Sequence, residues 1–306
     1  MIPLTFDDFS ERLCALYASP LRAPTTLCKL RQVLRILAEC PGLDAPSKLD
    51  TAAVVWFIES RKNAQVCTNT IIGELGYVRS ICSYAIEEGL LDRSPFATRR
   101  LRLRADPPAR KAWHSLSAVA TVLDFLDARK GDSWESHRLY VAASTVAHTG
   151  VRRNEALYLR VEDYDASARL LLVLDGTRRR LKTHAAAAPV PVSDRLAEVL
   201  SGWLPVCGST WLIPTADRRS PWTGGNPGTK PLDRLKAAGL RVGVTGFTWQ
   251  SLRHSWATAA EGAWDLTEPQ IQRVLRHTRP MTSRRYRHAD AENLGRIGAR
   301  IAFGRG

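Results

Sequence analysis

The sequence lacks long apolar runs and lacks the common metal-binding motifs. No stretch of about eighteen apolar residues occurs in its 306 residues, and the start, Met1–Thr5, has no basic segment followed by an apolar one. The six cysteines include no C-x-x-C pair, and the seven histidines include no H-E-x-x-H. These absences predict a soluble, cytoplasmic protein with reduced core cysteines and with neither a disulfide framework nor a bound metal.

Acidic residues are also scarce relative to basic ones. The chain has 44 Lys and Arg against 30 Asp and Glu, a formal net charge of +14 and a sequence pI near 10.0. A surplus of this size indicates a polyanionic partner. The hydrophobic fraction of 44% is too high for a disordered basic tail, and the length suits two ordinary domains.

Apolar residues at helical spacing predict a bundle of four short helices over residues 1–97. Thr5 followed by Asp8 resembles a capping box at the start of the first helix. The third helix is expected to begin near Asp50, and the fourth to stop at Gly89. This first region therefore reads as an all-helical domain.

A proline-rich basic segment at 98–112 marks the best domain boundary. One reading of it is a solvated linker. The other interpretation is a segment that lies along DNA phosphates between two DNA-binding domains. The candidate DNA-binding residues in this segment are Arg99, Arg100, Arg102, Arg104 and Lys111.

From residue 113 to 306 the chain mixes helices with a few strands. Helices are predicted around 115–128 and 136–148, and Leu170–Leu174 looks like the first strand of a small antiparallel sheet. Pro189–Val192 closes that sheet, and Ser193 then caps another helix. The predicted fold is mainly α with a small antiparallel β-sheet in the second domain. This α+β domain follows the N-terminal helical bundle.

Four short sequence motifs in the second domain, here called boxes, indicate the chemistry of the protein. The first reads Thr149–Glu155 and contains Arg152, the second reads Gln250–His254 and contains Arg253. Thr267 with Gln270 forms a capping box for a helix that ends at the third box, Leu275-Arg276-His277. The fourth, Arg284-Arg285-Tyr286, lies nine positions beyond that histidine. Two arginines, a histidine and a tyrosine in this order suggest attack on a DNA phosphate by a tyrosine.

On these boxes the chain resembles the tyrosine recombinases of the phage integrase family. The resemblance implies site-specific DNA recombination or integration, carried out for a mobile genetic element by a helical DNA-binding domain and a catalytic domain with a C-terminal tail helix. In this family the tyrosine attacks a backbone phosphate, forms a 3′-phosphotyrosine and frees a 5′-hydroxyl, so no cofactor is needed. The implied catalytic residues are Arg152, Lys182, Gln250, Arg253, His277 and Tyr286.

Physical chemistry accounts for these residue types. The attacked phosphate gains charge on its nonbridging oxygens, which guanidinium groups such as those of Arg152 and Arg253 hold by charge-assisted hydrogen bonds. Glu155 is expected to steady Arg152. By resemblance, His277 donates a hydrogen bond to the phosphate or helps the tyrosine lose its proton, and Lys182 protonates the departing 5′-oxygen.

Two positions depart from the family pattern. Gln250 stands where the family usually has histidine or lysine, and glutamine can donate a hydrogen bond but cannot transfer a proton. His254 or a water compensates, or catalysis is slow, or the protein has become a DNA binder. Arg276 stands where glycine usually eases a left-handed helix end, so it must bear strain or use a different cap.

The expected partner is double-stranded DNA, and the expected assembly is a homotetramer formed on DNA. By resemblance, the tail after Asp290 docks on a neighbouring protomer, and its apolar spacing also leaves open that it packs against its own domain. Two other functions remain possible from sequence. A type IB topoisomerase uses a similar residue set, and a catalytically silent DNA-binding protein would keep the fold and the basic surface.

Overall fold

The computed structural model describes residues 4–18, 24–97, 101, 103–106, 113–173, 188–225 and 229–276. The chain divides into two compact units, Met1–Ala109 and Arg110–Gly306. Each unit has its own cluster of buried apolar side chains. In these described ranges no helix combines the length and the apolar character needed to span a membrane.

The first unit is a helical bundle. Its α-helices are α1 (Phe6–Tyr17), α2 (Pro24–Ala38), α3 (Thr51–Asn63) and α4 (Thr68–Glu87). The Thr5 side chain accepts the Asp8 N–H at 3.1 Å, and Asp50 accepts the Ala53 N–H at 2.9 Å. Both predicted helix starts are thus confirmed, because each side chain satisfies a backbone donor that the first turn leaves open.

Apolar packing holds this bundle together. The side chains of Phe9, Leu37, Phe57 and Val78 come from all four helices and are fully buried. Burial of each such side chain contributes about 1.5–3 kcal/mol. The prediction that all cysteines lie in cores is wrong for two of them. Cys28 is exposed because it lies on the solvent side of α2, and Cys67 is exposed at the N-cap of α4. The six cysteines are free thiols.

In the second unit, shorter helices surround a central helix. Its helices are α5 (Leu116–Ala128), α6 (Trp134–Thr149), α7 (Arg153–Leu157), α8 (Asp194–Cys207), α9 (Pro231–Arg241), α10 (Trp249–Gly262) and α11 (Glu268–Leu275). Helix α6 is buried from Arg138 to Thr149 and contacts α5, α7, α8, α9 and α10. Because α6 lies at the centre, the segments at its C-terminal end meet in the interior of this unit.

A small antiparallel sheet lies beside these helices, and the predicted mainly α fold with such a sheet is confirmed. The strands are β1 (Tyr164–Asp165), β2 (Leu170–Val173) and β3 (Ala188–Pro191), paired in that order. The prediction that the Leu170 strand is the first is wrong, since β1 precedes it. A strand of two residues is too short to show a period-2 pattern.

Candidate functional site

The structure describes four of the predicted site residues. Arg152, Gln250 and Arg253 lie in the second unit, and Arg104 lies in the first, where it is exposed. The other predicted residues lie outside the described ranges. They are the catalytic candidates Lys182, His277 and Tyr286 and the DNA-binding candidates Arg99, Arg100, Arg102 and Lys111.

The site begins at the turn that ends α6. Gly150 closes this helix in the left-handed conformation, with φ of +63°, and its N–H donates to the Val146 carbonyl at 2.9 Å. A Cβ at this glycine would lie 2.9 Å from side-chain carbons of both Leu275 and Trp256. Only glycine can adopt this positive φ and also leave room for the two side chains. Helices α10 and α11 can therefore pack directly against the turn that leads to Arg152.

Glu155 fixes Arg152 by two separate contacts, as the sequence predicted. Arg152 is the N-cap of α7, and its backbone N–H donates to Glu155 Oε2 at 2.7 Å. The Arg152 guanidinium donates through Nη1 to Glu155 Oε1 at 2.7 Å. Glu155 is buried, whereas the Arg152 side chain keeps 36% of its surface exposed. The arginine is therefore anchored on its protein side and accessible on the other.

Arg253 bridges two backbone carbonyls at the same place. It lies on α10, and its Nη1 donates to the Gly150 carbonyl at 2.5 Å while Nη2 donates to the Leu275 carbonyl at 2.6 Å. A guanidinium has five N–H donors, so these two bonds leave donors for an anion. Burial, with Arg152 nearby, lowers the pKa of Arg253 to about 10, and the side chain stays charged at neutral pH.

Gln250 lies one helical turn before Arg253 on α10. Residues three and four positions apart share a side of a helix, so Gln250 neighbours both Arg253 and His254. The Gln250 amide donates to His254 Nε2 at 3.4 Å, which requires the tautomer whose other ring nitrogen carries the proton. Gln250 is exposed, so its amide faces the side of α10 that an incoming ligand can reach.

Arg276 completes the cluster, and sequence reasoning missed its contact with the site. Of the two alternatives expected for an arginine in place of glycine, a strained left-handed end or a different cap, the structure has the first, since Arg276 ends α11 with φ of +52° and ψ of +49°. Its buried guanidinium donates through Nη2 to Glu155 Oε2 and through Nη1 to the Val274 carbonyl at 3.3 Å. The arginine itself was the sequence feature that could have indicated this contact, because a long cationic side chain at a position usually occupied by glycine needs a nearby acceptor when it is buried.

The cluster carries more positive than negative charge. Burial by itself would raise the pKa of Glu155, but Arg276 and the hydrogen bonds from Arg152 outweigh it and lower this pKa below the usual range. Three charged arginines and one carboxylate give Arg152, Glu155, Arg253 and Arg276 a net charge of about +2. Such a cluster favours an anion with several acceptor oxygens.

The residues of the cluster do not suit a metal ion. Guanidinium groups are cationic donors and have no lone pair to offer a cation. In the part of the chain that the structure describes, no group of three or more His, Cys, Asp or Glu side chains could hold a metal. The arrangement can therefore bind and orient an anion through hydrogen bonds.

Comparison with known sequences identifies a protein family and several relatives. The model of the phage integrase family matches residues 118–293. The tyrosine recombinase XerC of Mycobacterium sp. (strain KMS) is 26% identical over 267 residues, which cover 83% of this chain and 83% of that protein. The XerC proteins of strains JLS and MCS match equally well.

Comparison with solved structures shows the same fold. The Tn1549 transposon integrase in complex with circular intermediate DNA matches with a TM-score of 0.70 and 17% identity, over 90% of this chain and 92% of that one. A lambda integrase tetramer bound to a Holliday junction matches with a TM-score of 0.68 and 16% identity, over 92% of this chain and 79% of that one.

Proposed function

This chain belongs to the phage integrase family and is a site-specific DNA recombinase, and we propose that it acts through attack of Tyr286 on a DNA phosphodiester. The observation that carries this mechanism is the cluster at the end of α6. There Glu155 anchors Arg152, and two carbonyls anchor Arg253. The alternative of a catalytically silent DNA binder is not favoured by the family match.

The two arginines are proposed to hold the scissile phosphate. In the transition state the pentacoordinate phosphorus carries extra charge on its nonbridging oxygens, and preorganised guanidinium donors stabilise that charge. Contacts within the protein fix both side chains, Arg152 through Glu155 and Arg253 through the carbonyls of Gly150 and Leu275. Little reorganisation is then needed when DNA arrives.

The remaining roles are assigned by the family motif to residues outside the described ranges. The phenolic oxygen of Tyr286 attacks phosphorus, and the bond from phosphorus to the 5′-oxygen breaks. Lys182 gives a proton to the departing 5′-oxygen, and His277 donates to the phosphate or assists the phenol in losing its proton. The product is a 3′-phosphotyrosine with a free 5′-hydroxyl, and reversal of the same steps joins a new strand.

Gln250 is proposed to donate a hydrogen bond to the phosphate without moving a proton. Its amide shares one side of α10 with Arg253, and its Nε2 carries two N–H donors, of which His254 takes one. The position therefore supplies binding and orientation. A histidine or lysine in the same place would add proton transfer.

DNA binding and assembly extend the proposal beyond the cluster. The chain binds double-stranded DNA and forms oligomers, and we place further phosphate contacts in the basic segment that includes Arg104, together with Arg99, Arg100, Arg102 and Lys111. We further propose that four protomers assemble on DNA through the tail after Asp290, and that the substrate is the end of a mobile element.

The experiment that tests the mechanism detects the covalent intermediate. Purified protein is mixed with nicked DNA fragments from the ends of its own genomic element, and a denaturant-resistant protein–DNA adduct is sought. We expect the adduct with wild type and with Tyr164→Phe, a tyrosine on β1 that serves as the control, but not with Tyr286→Phe. DNA affinity should be nearly equal in all three proteins. An adduct formed by Tyr286→Phe would contradict the assignment.

A further inference from the structure

Arg276 lies at a backbone position that favours glycine. It ends α11 with φ of +52°, in the left-handed region that side chains with a Cβ rarely adopt. Helices that end in this way usually have glycine or asparagine at the turn. Contacts of the side chain must offset the strain of the turn, and these contacts indicate the role of Arg276.

The Arg276 side chain is buried in the cluster. Only 1% of its side-chain surface is exposed, and 6% of that of its partner Glu155. Its guanidinium donates to Glu155 Oε2 and to the Val274 carbonyl. A guanidinium this enclosed does not contact DNA itself, so any effect on the reaction passes through the residues that it holds.

Glu155 links Arg276 to Arg152. Its Oε1 accepts the Arg152 guanidinium, and its Oε2 accepts both the Arg152 N–H and the Arg276 guanidinium. Without Arg276, the buried carboxylate would keep one cation in place of two. Its position would then be fixed less firmly, and the position of Arg152 with it.

The end of α11 is tied to the phosphate-binding arginines at a second point. Arg253 donates to the carbonyl of Leu275, the residue directly before Arg276. The same arginine donates to the Gly150 carbonyl, and the Leu275 side chain packs against that glycine. The α11 terminus, the α6 terminus and the start of α7 therefore share one hydrogen-bonded network.

We infer that Arg276 is a positioning residue of the recombinase, which holds Arg152 in its phosphate-binding position through Glu155 and fixes the α11 terminus against Arg253. This inference rests on the proposed function. It goes beyond the family pattern, because the usual glycine at this position has no side chain to form the ion pair.

The test compares two variants at position 276 with a matched surface variant. Arg276→Asn removes the cation but tolerates the left-handed turn, and Arg276→Lys keeps a cation. Arg169→Asn is the control, since Arg169 also has a positive φ, +53°, and pairs with Asp194 at a surface where half of the arginine is exposed. None of these three substitutions changes a proposed catalytic residue.

We expect Arg276→Asn to lower the rate of adduct formation by about tenfold to a hundredfold, because small displacements of a phosphate-binding group have effects of that order. The Kd for DNA should stay within about twofold, since one loosened contact among many phosphate contacts changes affinity little. Arg276→Lys should recover part of the rate, and Arg169→Asn should match wild type. A rate for Arg276→Asn equal to wild type, or no recovery in Arg276→Lys, would overturn the inference.

A readout without DNA separates this inference from the proposed function. Hydrogen exchange of the Arg152 amide, which donates to Glu155, should be about tenfold faster in Arg276→Asn and unchanged in Arg169→Asn. If wild type forms no adduct, the proposed function fails and the exchange result decides the inference. Unchanged exchange at Arg152 in Arg276→Asn would overturn it.

Discussion

The two ends of α6 are each associated with an arginine that is at least partly buried, and the pKa of both arginines is lowered to a similar value in different surroundings. Near the start of the helix, burial lowers the pKa of Arg138 to about 10. Beyond its end, burial together with Arg152 lowers the pKa of Arg253 to about 10. The pKa alone therefore does not tell a structural arginine from a ligand-binding one.

The contacts of the two side chains do separate them. The Arg138 guanidinium carbon lies 3.8 Å from the ring centre of Trp222 and 5.1 Å from that of Trp134, and its Nη1 donates to the Pro214 carbonyl at 2.7 Å. Aromatic rings cover it, and only 5% of the residue is exposed. Arg253 instead neighbours Arg152, whose side chain is 36% exposed, so this end of α6 offers two cations to one anion.

Substitution of Arg253 is the strongest test of this difference. Arg253→Gln should lower the rate of adduct formation by about a hundredfold to a thousandfold, because one preorganised donor to the developing oxyanion is lost. The rate is measured at saturating DNA, and thermal unfolding confirms that the variant is folded. A folded Arg253→Gln protein with the wild-type rate would place the phosphate elsewhere.

Substitution of Arg138 should act on stability and not on chemistry. Arg138→Ala leaves a cavity between Trp134 and Trp222 and an unsatisfied carbonyl at Pro214. We expect the free energy of unfolding to fall by about 2–4 kcal/mol. Denaturant unfolding measures this loss, and the rate per folded molecule should equal that of wild type. A large rate loss in the folded variant would remove the distinction between the two ends of α6.

His148 gives a smaller, pH-dependent test within the same helix. It is fully buried, its Nδ1 shares a hydrogen bond with Ser193 at 2.8 Å, and burial, with Arg195 adding to it, lowers its pKa from 6.5 to about 3. Between these two pH values the unfolded chain binds a proton that the folded chain does not. The free energy of unfolding therefore falls as the pH falls below 6.5.

The expected size of this loss is about 2–3 kcal/mol between about pH 7 and about pH 4.5, from about 1.4 kcal/mol per pH unit. Denaturant unfolding of wild type and of His148→Asn at both pH values isolates the effect, since acidic groups elsewhere contribute equally to both proteins. An identical loss in the two proteins would show that His148 takes up a proton in the folded state.

Sequence patterns predicted most of the helices and the partnership of Arg152 with Glu155. Helix starts such as those after Thr5, Asp50 and Ser193 depend on contacts within one turn, which the local sequence specifies. The same holds for the link between Arg152 and Glu155, three residues apart. The features that the sequence predicted directly are therefore contacts between residues close together in the chain.

Contacts between distant segments could not be read in this way. The pairing of Arg276 with Glu155 spans 121 residues, and the bond from Arg253 to Gly150 spans 103. No periodicity or spacing encodes such distances. The stacking of Arg138 between tryptophans was missed for the same reason, because its partner Trp222 is far away in sequence. The family resemblance supplied the order of the boxes but not these contacts.

Gln250 offers the smallest expected effect and the finest test of the anion-binding end of α6. Gln250→His would add a side chain able to transfer a proton next to Arg253, and we expect the rate of adduct formation to rise by about tenfold. Gln272→His, on α11, controls for an added histidine in the same unit. An unchanged or lower rate in Gln250→His would mean that the site is built around glutamine. The amide then acts as a phosphate donor whose geometry an imidazole cannot reproduce, and the His254 contact at 3.4 Å is the feature that sets it.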